Sequence, residues 1–333
     1  MIFITKTHSP IAVFGGGSWG TALVKILTDN GHQVYWYIRD KAVIDAIAKK
    51  GKNPNYISSA ILNTDFIEMN TSAEWVLQNS ASVILAIPAA FIDPVLKPLS
   101  ETLKTKTILS AVKGIVPETQ LVLGEHLTTL GIPQKQIGVI GGPSHAEEVA
   151  KEKQSYLTIA FKRRRIAQNW AEIIANDYIH TKDSVDLIGI EYAAMLKNIY
   201  AMAAGIAKGL DYGDNFNSVL ISSSVREMKR FLRVVYGKKR NINHSAYLGD
   251  LLVTAYSEYS RNRNFGELIG KGFTVLETQT QLKMVAEGYY AVKSAIEINN
   301  NKASIPIIES VYKILYLNED TAVVYAELST SIS

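Results

Sequence analysis

A glycine-rich turn follows the first strongly apolar segment of the chain. The run I-A-V-F-G-G-G-S-W-G places Gly15, Gly17 and Gly20 at the spacing G-x-G-x-x-G, and a helical apolar pattern follows. Such a turn lets the backbone approach a pyrophosphate and aims the first amides of the helix at the anion. Because a strand precedes the glycines and a helix follows them, the pattern predicts a dinucleotide site with Ser18 and Trp19 beside it.

Polar residues also follow later strands, at the edge where open parallel sheets bind ligands. Arg39 favours NADP(H), because an arginine there can pair with a 2′-phosphate; Asp40 keeps NAD(H) open, and a surface charge is the alternative for Arg39. Lys113 follows another strand, where it could face nicotinamide or an anionic substrate, or simply be solvated. The turn at 142–144 precedes a helix whose amides could hold an anion.

A lysine in the middle of an apolar helix is the main candidate for proton transfer. The run E-Y-A-A-M-L-K-N-I-Y-A-M-A-A-G is apolar nearly all round, which predicts a buried helix carrying Lys197 and Asn198. Burial lowers the pKa of an ammonium towards the range useful for acid–base catalysis. A lysine that extends to the surface is the alternative.

Two further clusters could complete such a site. Asp250 begins a predicted helix, where its carboxylate either caps the helix or pairs with Lys197. The run S-R-N-R-N starting at Ser260 brings Arg261 and Asn262 together, and arginine forks match phosphate oxygens in geometry and charge. A polar loop without a ligand is the alternative for this run.

The elements that must position these residues change character near residue 189. Before it, strand and helix patterns alternate, which predicts an α/β dinucleotide-binding domain over residues 1–188 with a doubly wound, mostly parallel sheet. After it, an all-α domain is predicted over residues 189–333. The predicted strands are 11–14, 33–38, 82–87, 107–112, 137–140 and 156–160, and the predicted helices of the second domain are 190–208, 215–236, 244–257, 281–298 and 306–316.

Composition limits the classes of function. The chain has 333 residues, with 47% hydrophobic and 20% charged, which suits two globular domains. The net charge of +4 is too small for a dedicated nucleic-acid binder. With no cysteine there is no disulfide or thiolate metal site, and we assign no residue to a metal. We find no signal peptide or membrane span in the sequence and expect a cytoplasmic protein.

Taken together, the motifs resemble those of the bacterial NAD(P)-dependent sn-glycerol-3-phosphate dehydrogenase family. The resemblance covers nearly the whole chain, through G-G-G-S-W-G-T-A-L, A-V-K-G-I, G-G-P-S-H-A-E-E-V, L-K-N-I-Y-A-M-A-A-G, G-D-L, S-R-N-R-N-F-G and V-A-E-G. It implies a Rossmann domain and a helical domain that closes over the substrate. It also implies NAD(P)H-dependent reduction of dihydroxyacetone phosphate to glycerol 3-phosphate for phospholipid synthesis. A homodimer is left open.

The resemblance assigns roles position by position. It makes Lys197 the proton donor or acceptor, with Asp250 and Lys113 as catalytic partners. The implied cofactor contacts are Gly15, Gly17, Ser18, Trp19, Gly20, Arg39, Tyr56, Lys113, Ala146, Arg261, Val285 and Glu287. The implied substrate contacts are Lys113, Gly142, Ser144, Lys197, Asp250, Ser260, Arg261 and Asn262.

Two segments depart from the family pattern. Ser222–Ser224 stands where the family often has Thr-Arg-Gly. The basic stretch G-K-K-R-N-I-N-H within 237–248 replaces the glycine-rich segment that the family has before Gly249. Two other functions remain open. A dehydrogenase for a 3-hydroxy acid or hydroxyacyl thioester would not need the Ser260–Asn264 cluster, and a non-catalytic nucleotide sensor would give no reason for a buried Lys197.

Overall fold

The structure, a computed structural model, describes residues 9–282 and 286–332. Contacts divide these residues into two units. The first contains 9–112, 116–140 and 144–187, and the second contains 113–115, 141–143 and 188–332. In the described part of the chain, no helix is long and apolar enough to cross a membrane.

The first unit is built on a parallel sheet. Its strands are β1 (Ile11–Phe14), β2 (Val34–Tyr37), β3 (Ile67–Asn70), β4 (Ser82–Leu85), β5 (Thr107–Ser110), β8 (Ile137–Gly141), β9 (Ser155–Phe161) and β10 (Ile179–Ser184), while β6 (Ile115–Val116) and β7 (Leu121–Val122) form a separate pair. The order in the eight-stranded sheet is β10-β9-β8-β5-β4-β1-β2-β3. β1 pairs in parallel with both β2 and β4, and β5 pairs in parallel with β4 and β8. The predicted α/β fold with a mostly parallel sheet is confirmed.

The central strands were predictable because they are almost continuously apolar, as strands buried on both faces must be. The two edge strands were not predicted. β3 reads I-E-M-N and β10 reads I-H-T-K-D-S, and both lie at the ends of the sheet, where one side has no neighbouring strand. Polar side chains are tolerated there, so the apolar signal of a central strand is missing.

Helices connect the strands of the first unit. They are α1 (Ser18–Asp29), α2 (Lys41–Lys50), α3 (Ala73–Gln78), α4 (Ile92–Leu96), α5 (Ser100–Leu103), α6 (Leu123–Thr129), α7 (Ala146–Val149) and α8 (Arg164–Ile174), with short 3₁₀ turns at Thr64–Phe66, Ala89–Phe91, Lys97–Leu99 and Gln134–Gln136. The core of the unit joins the buried face of α1 to the sheet, where Trp36 and Phe14 are fully buried.

From Leu187 to Ser331, every regular element among the described residues is a helix, as predicted. These helices are α9 (Leu187–Gly209), α10 (Gly213–Val235), α11 (Asp250–Tyr256), α12 (Arg261–Gly270), α13 (Val275–Leu282), α14 (Glu287–Asn299), α15 (Pro306–Tyr316) and α16 (Thr321–Ser331), and a π-helical turn, Ser245–Gly249, precedes α11. The prediction of one helix over 281–298 is wrong. α13 ends at Leu282, and α14 begins after Ala286, whose extended backbone (φ −89°, ψ 104°) cannot continue a helix.

Two pairs of glycines hold α9 against α12. A Cβ on Gly266 of α12 would lie 2.0 Å from the carbonyl oxygen of Met202, and one on Gly205 of α9 would lie 2.0 Å from that of Arg263. Gly209 and Gly270 meet one turn further along. The backbones of the two helices therefore touch, which fixes the position of the α12 N-terminus relative to the buried middle of α9.

Candidate active site

The glycine turn of the first unit has the shape that a pyrophosphate site needs. Gly15 lies in the left-handed region at φ +126°, and a Cβ there would be 2.4 Å from the carbonyl oxygen of Ala86. A Cβ on Gly20 would be 2.0 Å from the carbonyl oxygen of Gly15, so α1 can pack this close to the turn only with glycine. Gly17 precedes α1 and has open space beside it, and the first turn of the helix carries no acidic residue. The first amides of α1 are thus suited to an anion.

A buried asparagine holds this turn in place, and the sequence reasoning missed it. The Asn53 side-chain amide donates to the carbonyl oxygen of Gly16 (3.0 Å) and to Oγ1 of Thr21 (2.8 Å). Thr21 in turn donates to the carbonyl oxygen of Gly17 (2.9 Å), and the Trp36 indole donates to that of Gly15 (2.9 Å). Asn53 is fully buried. The only sequence signal for it is its place in the run N-P-N-Y, three residues before Tyr56.

The two residues after β2 have different roles. Asp40 is the N-cap of α2, and its Oδ1 accepts a hydrogen bond from the amide of Ala42 (2.8 Å). Arg39 is exposed. Because the Asp40 carboxylate caps the helix, Arg39 is the better placed of the two to meet a cofactor phosphate.

The remaining predicted residues of the first unit are spread over three segments. Trp19 is half-buried and packs against the hydrophobic core, and Tyr56 is 40% exposed. Ser144 and Ala146 are both buried, and Ala146 is the first residue of α7. The role that these residues could have is in binding.

The second unit contains the candidate catalytic pair. The Lys197 ammonium donates a short hydrogen bond to Oδ1 of Asp250, and the two side chains are 5% and 1% exposed. Burial lowers the pKa of Lys197, the Asp250 carboxylate raises it and the neighbouring Lys113 charge lowers it; the net result is a pKa of about 8, against an ordinary value of 10.5. A lysine with this pKa can exchange a proton near neutral pH.

Asp250 is not a helix cap. The π-helical turn Ser245–Gly249 runs into α11 without a break, since Gly249 already has helical dihedral angles (φ −62°, ψ −43°). Helix capping, the alternative reading of this carboxylate, is therefore wrong, and the ion pair with Lys197 is present. Within the described residues, Oδ2 of Asp250 is buried and has no hydrogen-bond partner. A ligand hydroxyl could satisfy it.

Lys113 is tied to the same helix through its backbone. The Asn198 side-chain amide, beside Lys197 on α9, donates to the carbonyl oxygen of Lys113 (3.1 Å). The segment of Gly142 packs nearby in the unit, because a Cβ on Gly141 would be 2.5 Å from Cγ2 of Ile190 on α9. Asn198 was recognised as part of a polar pair in the sequence, but its positioning of Lys113 is visible only in the structure.

The run S-R-N-R-N forms a helix N-terminus and not a loop. Ser260 is the N-cap of α12, and its hydroxyl accepts from the amide of Arg263 (3.3 Å). Arg261 is exposed, and Asn262 is 8% exposed. The Oδ1 atom of Asn262 accepts from the amide of Gly288 (2.9 Å), so its NH₂ group is the part that can serve an anion. The helix amides and the guanidinium together suit a phosphate.

Glu287 lies among the positive charges of this unit. Burial raises the pKa of its carboxyl, while the charges of Lys113, Arg261 and Lys197 act to lower it. The second unit therefore brings together seven of the predicted residues within one electrostatic cluster and its adjoining turns: Lys113, Lys197, Asp250, Ser260, Arg261, Asn262 and Glu287. Val285 lies outside the described residues.

A parallel sheet with a glycine turn after its first strand, together with a helical unit that buries a lysine, defines a two-unit dehydrogenase of the Rossmann class. Two family models match the chain: the NAD-dependent glycerol-3-phosphate dehydrogenase N-terminus over residues 10–167 and the C-terminus of the same family over residues 186–326. The chain belongs to the NAD-dependent glycerol-3-phosphate dehydrogenase family.

Individual relatives agree with this assignment. The chain is 37% identical over 316 residues to the glycerol-3-phosphate dehydrogenase [NAD(P)+] of an Exiguobacterium species, covering 92% of this chain and 91% of the relative. It is 36% identical over 320 residues to the enzyme of the same name from Listeria innocua, covering 94% of each chain. The crystal structure of glycerol-3-phosphate dehydrogenase from Coxiella burnetii matches with a TM-score of 0.89 at 28% identity, covering 97% of this chain and 99% of that one.

Proposed function

We propose that the protein catalyses the reversible NAD(P)H-dependent reduction of dihydroxyacetone phosphate to sn-glycerol 3-phosphate. The observation that carries the proposal is the buried Lys197–Asp250 pair in a chain of this family. In this assignment residues 1–188 bind the dinucleotide, and residues 189–333 bind the substrate and supply the proton. The reaction would take place in the cytoplasm and supply the backbone for glycerophospholipid synthesis.

The residues of the first unit fit a dinucleotide. Gly15 and Gly20 leave no room for side chains, so the pyrophosphate would rest on the amides that follow Gly17, with Ser18 and Trp19 beside it. When bound, the reduced nicotinamide supplies the hydride for the substrate carbonyl. Arg39 supports a proposal of NADP(H) as the preferred cofactor, because the Asp40 carboxylate is already used by α2.

The residues of the second unit then perform the rest of the reaction. Arg261, the Asn262 NH₂ group and the first amides of α12 would bind the substrate phosphate. The Lys197 ammonium would donate its proton to the carbonyl oxygen as that oxygen becomes an alkoxide. Since the charge on the oxygen develops only along the reaction, a fixed cation stabilises the transition state more than the ground state. Oδ2 of Asp250 would accept a hydrogen bond from a substrate hydroxyl.

A spectrophotometric assay tests the proposal. Purified protein mixed with NADPH and dihydroxyacetone phosphate should consume NADPH, and repeating the assay with NADH measures the cofactor preference. Lys197→Ala should lower kcat by at least ~100-fold, the usual contribution of general acid–base catalysis, with cofactor affinity retained. Turnover of an unphosphorylated 3-oxo acid in place of dihydroxyacetone phosphate, or near-normal kcat in Lys197→Ala, would refute the proposed reaction or the role of Lys197.

A further inference from the structure

A basic cavity lies in the second unit at the end of α10. It has a volume of about 100 Å³ and is lined by Lys229, Leu232, Arg233, Lys238, Lys239, Arg240 and Ile242. Five of these seven residues are cationic, and no carboxylate is among them. None of them belongs to the candidate active site. Three of the cations, Lys238, Lys239 and Arg240, come from the basic stretch that replaces the family's glycine-rich segment before Gly249.

Most of these cations form no ion pair or side-chain hydrogen bond with the described residues. Lys229, Arg233, Lys238 and Lys239 are exposed, and none forms a salt bridge or side-chain hydrogen bond with another described residue. In the other basic run of the chain, K-R-R-R at 162–165, two of the four cations have partners: Lys162 donates to Gln134, and Arg164 pairs with Asp183. Like charges held close together repel one another, so an anion between them would relieve an existing cost.

Arg240 builds the wall of the cavity. Its Nη1 donates to the carbonyl oxygens of Leu232 (3.2 Å), Tyr236 (2.7 Å) and Lys238 (3.2 Å), and its guanidinium lies 5.6 Å from the centre of the Tyr236 ring. The guanidinium therefore neutralises the negative end of α10, which would otherwise repel an anion. Holding these carbonyls also folds the chain at 236–240 back over the helix, where Lys238 and Lys239 face the cavity.

We propose that this cavity binds the phosphate group of a small phosphorylated molecule, at a site separate from the substrate phosphate site at Arg261. A phosphate dianion offers three acceptor oxygens, which suits several flexible ammonium groups converging on one concave space. The buried side chains of Leu232 and Ile242 supply an apolar wall for the carbon skeleton of the ligand. A concave site of this size favours a free ligand over the flat surface of a membrane.

Radiolabelled inorganic phosphate, measured by equilibrium dialysis, tests the proposal. The measurement is made in the Arg261→Ala background, so that the substrate phosphate site contributes little. We expect one saturable site per chain. Adding Lys238→Ala and Lys239→Ala should weaken its affinity at least about tenfold, since two of the ammonium groups that line the cavity are lost. The activity of the double variant with an intact Arg261 shows that the fold is retained.

Arg163→Ala with Arg165→Ala is the matched control, because it removes two exposed cations from the other basic run and changes the net charge equally. An equal loss of affinity in the control would overturn the proposal, since it would show attraction to net charge alone. Absence of saturable binding in the Arg261→Ala background would overturn it as well. Co-sedimentation with phosphatidylcholine vesicles containing phosphatidylglycerol tests the lipid source; vesicle binding that depends on Lys238 and Lys239, without binding of free phosphate, would also contradict the proposal.

Discussion

Changing Asp250 to asparagine should move the pH dependence of the reduction without reshaping the site. Asp250→Asn removes one negative charge and keeps an oxygen that can accept from Lys197. Three influences set the pKa of Lys197: burial and the Lys113 charge lower it, and the Asp250 carboxylate raises it, with a result of about 8. Without the carboxylate, the pKa of Lys197 should fall below 8.

The size of this shift follows from the geometry. Lys197 and Asp250 are in direct contact and nearly inaccessible to solvent. Two unit charges about 4 Å apart interact by about 4 kcal/mol at an effective dielectric constant of about 20, and one pKa unit corresponds to 1.36 kcal/mol. The full interaction would thus be worth up to about three pKa units. Because the asparagine oxygen and local relaxation recover part of it, we expect a fall of at least about one unit.

The assay is the pH profile of kcat/KM for dihydroxyacetone phosphate. In the proposed mechanism, reduction requires protonated Lys197. Activity should therefore fall as the pH rises through its pKa, and this fall should occur at least about one unit lower in Asp250→Asn than in the wild type. Lys113→Met should move it the opposite way, because removing a like charge favours the ammonium. Exposed Asp214→Asn carries the same charge change and should leave the profile in place. A profile in Asp250→Asn that is unmoved, or moved to higher pH, would refute the reasoning.

Three other substitutions test the remaining parts of the site. Arg261→Ala should raise KM for dihydroxyacetone phosphate at least about tenfold, since a guanidinium–phosphate contact is lost; an unchanged KM in steady-state assays would contradict its phosphate role. Asn53→Ala should weaken NADPH binding about tenfold in fluorescence titrations, because the glycine turn loses two hydrogen bonds. Wild-type affinity in this variant would show that the turn keeps its conformation without Asn53. Gly266→Ala should lower the free energy of unfolding by about 1–3 kcal/mol or more, because its Cβ would overlap the Met202 carbonyl. Gly237→Ala, whose Cβ would meet only the Arg233 carbonyl oxygen at 4.0 Å, is the control in urea titrations, and equal stability of the two variants would contradict the helix contact.

Sequence patterns predicted the parts of this molecule in which one local property decides the structure. β4 (S-V-I-L) and β5 (T-I-L-S) are mainly apolar, and α9 is apolar nearly all round, so their burial could be predicted directly. The N-terminal half of α12 could not be recognised as a helix, because its first residues are arginine and asparagine, which are equally typical of a loop. Its glycines serve the contact with α9, yet they also lower the helix propensity of the segment.

The pairing of side chains that lie far apart in the chain was harder to predict from the sequence. Lys197 and Asp250 are 53 positions apart, and several other carboxylates could have met the lysine equally well on sequence grounds. Asn53 gave no signal of its own, because a buried asparagine and a loop asparagine look alike until its partners Gly16 and Thr21 are known. What decides such pairings is the packing of whole elements, which local periodicity does not specify.

The charges of the second unit also indicate how substrate binding would prepare the acid. Lowering the pKa of Lys197 from 10.5 to about 8 means that the protein disfavours the ammonium by about 3 kcal/mol. Lys113, Lys197 and Arg261 are opposed by Asp250 and by Glu287, whose carboxyl has a raised pKa, so the cluster holds an excess of positive charge. A phosphorylated substrate supplies the missing negative charge, and a nearby anion favours the protonated form of a lysine. The substrate would thus raise the pKa of the very group that must donate a proton to it, so that Lys197 is charged most fully when a substrate is present to accept its proton.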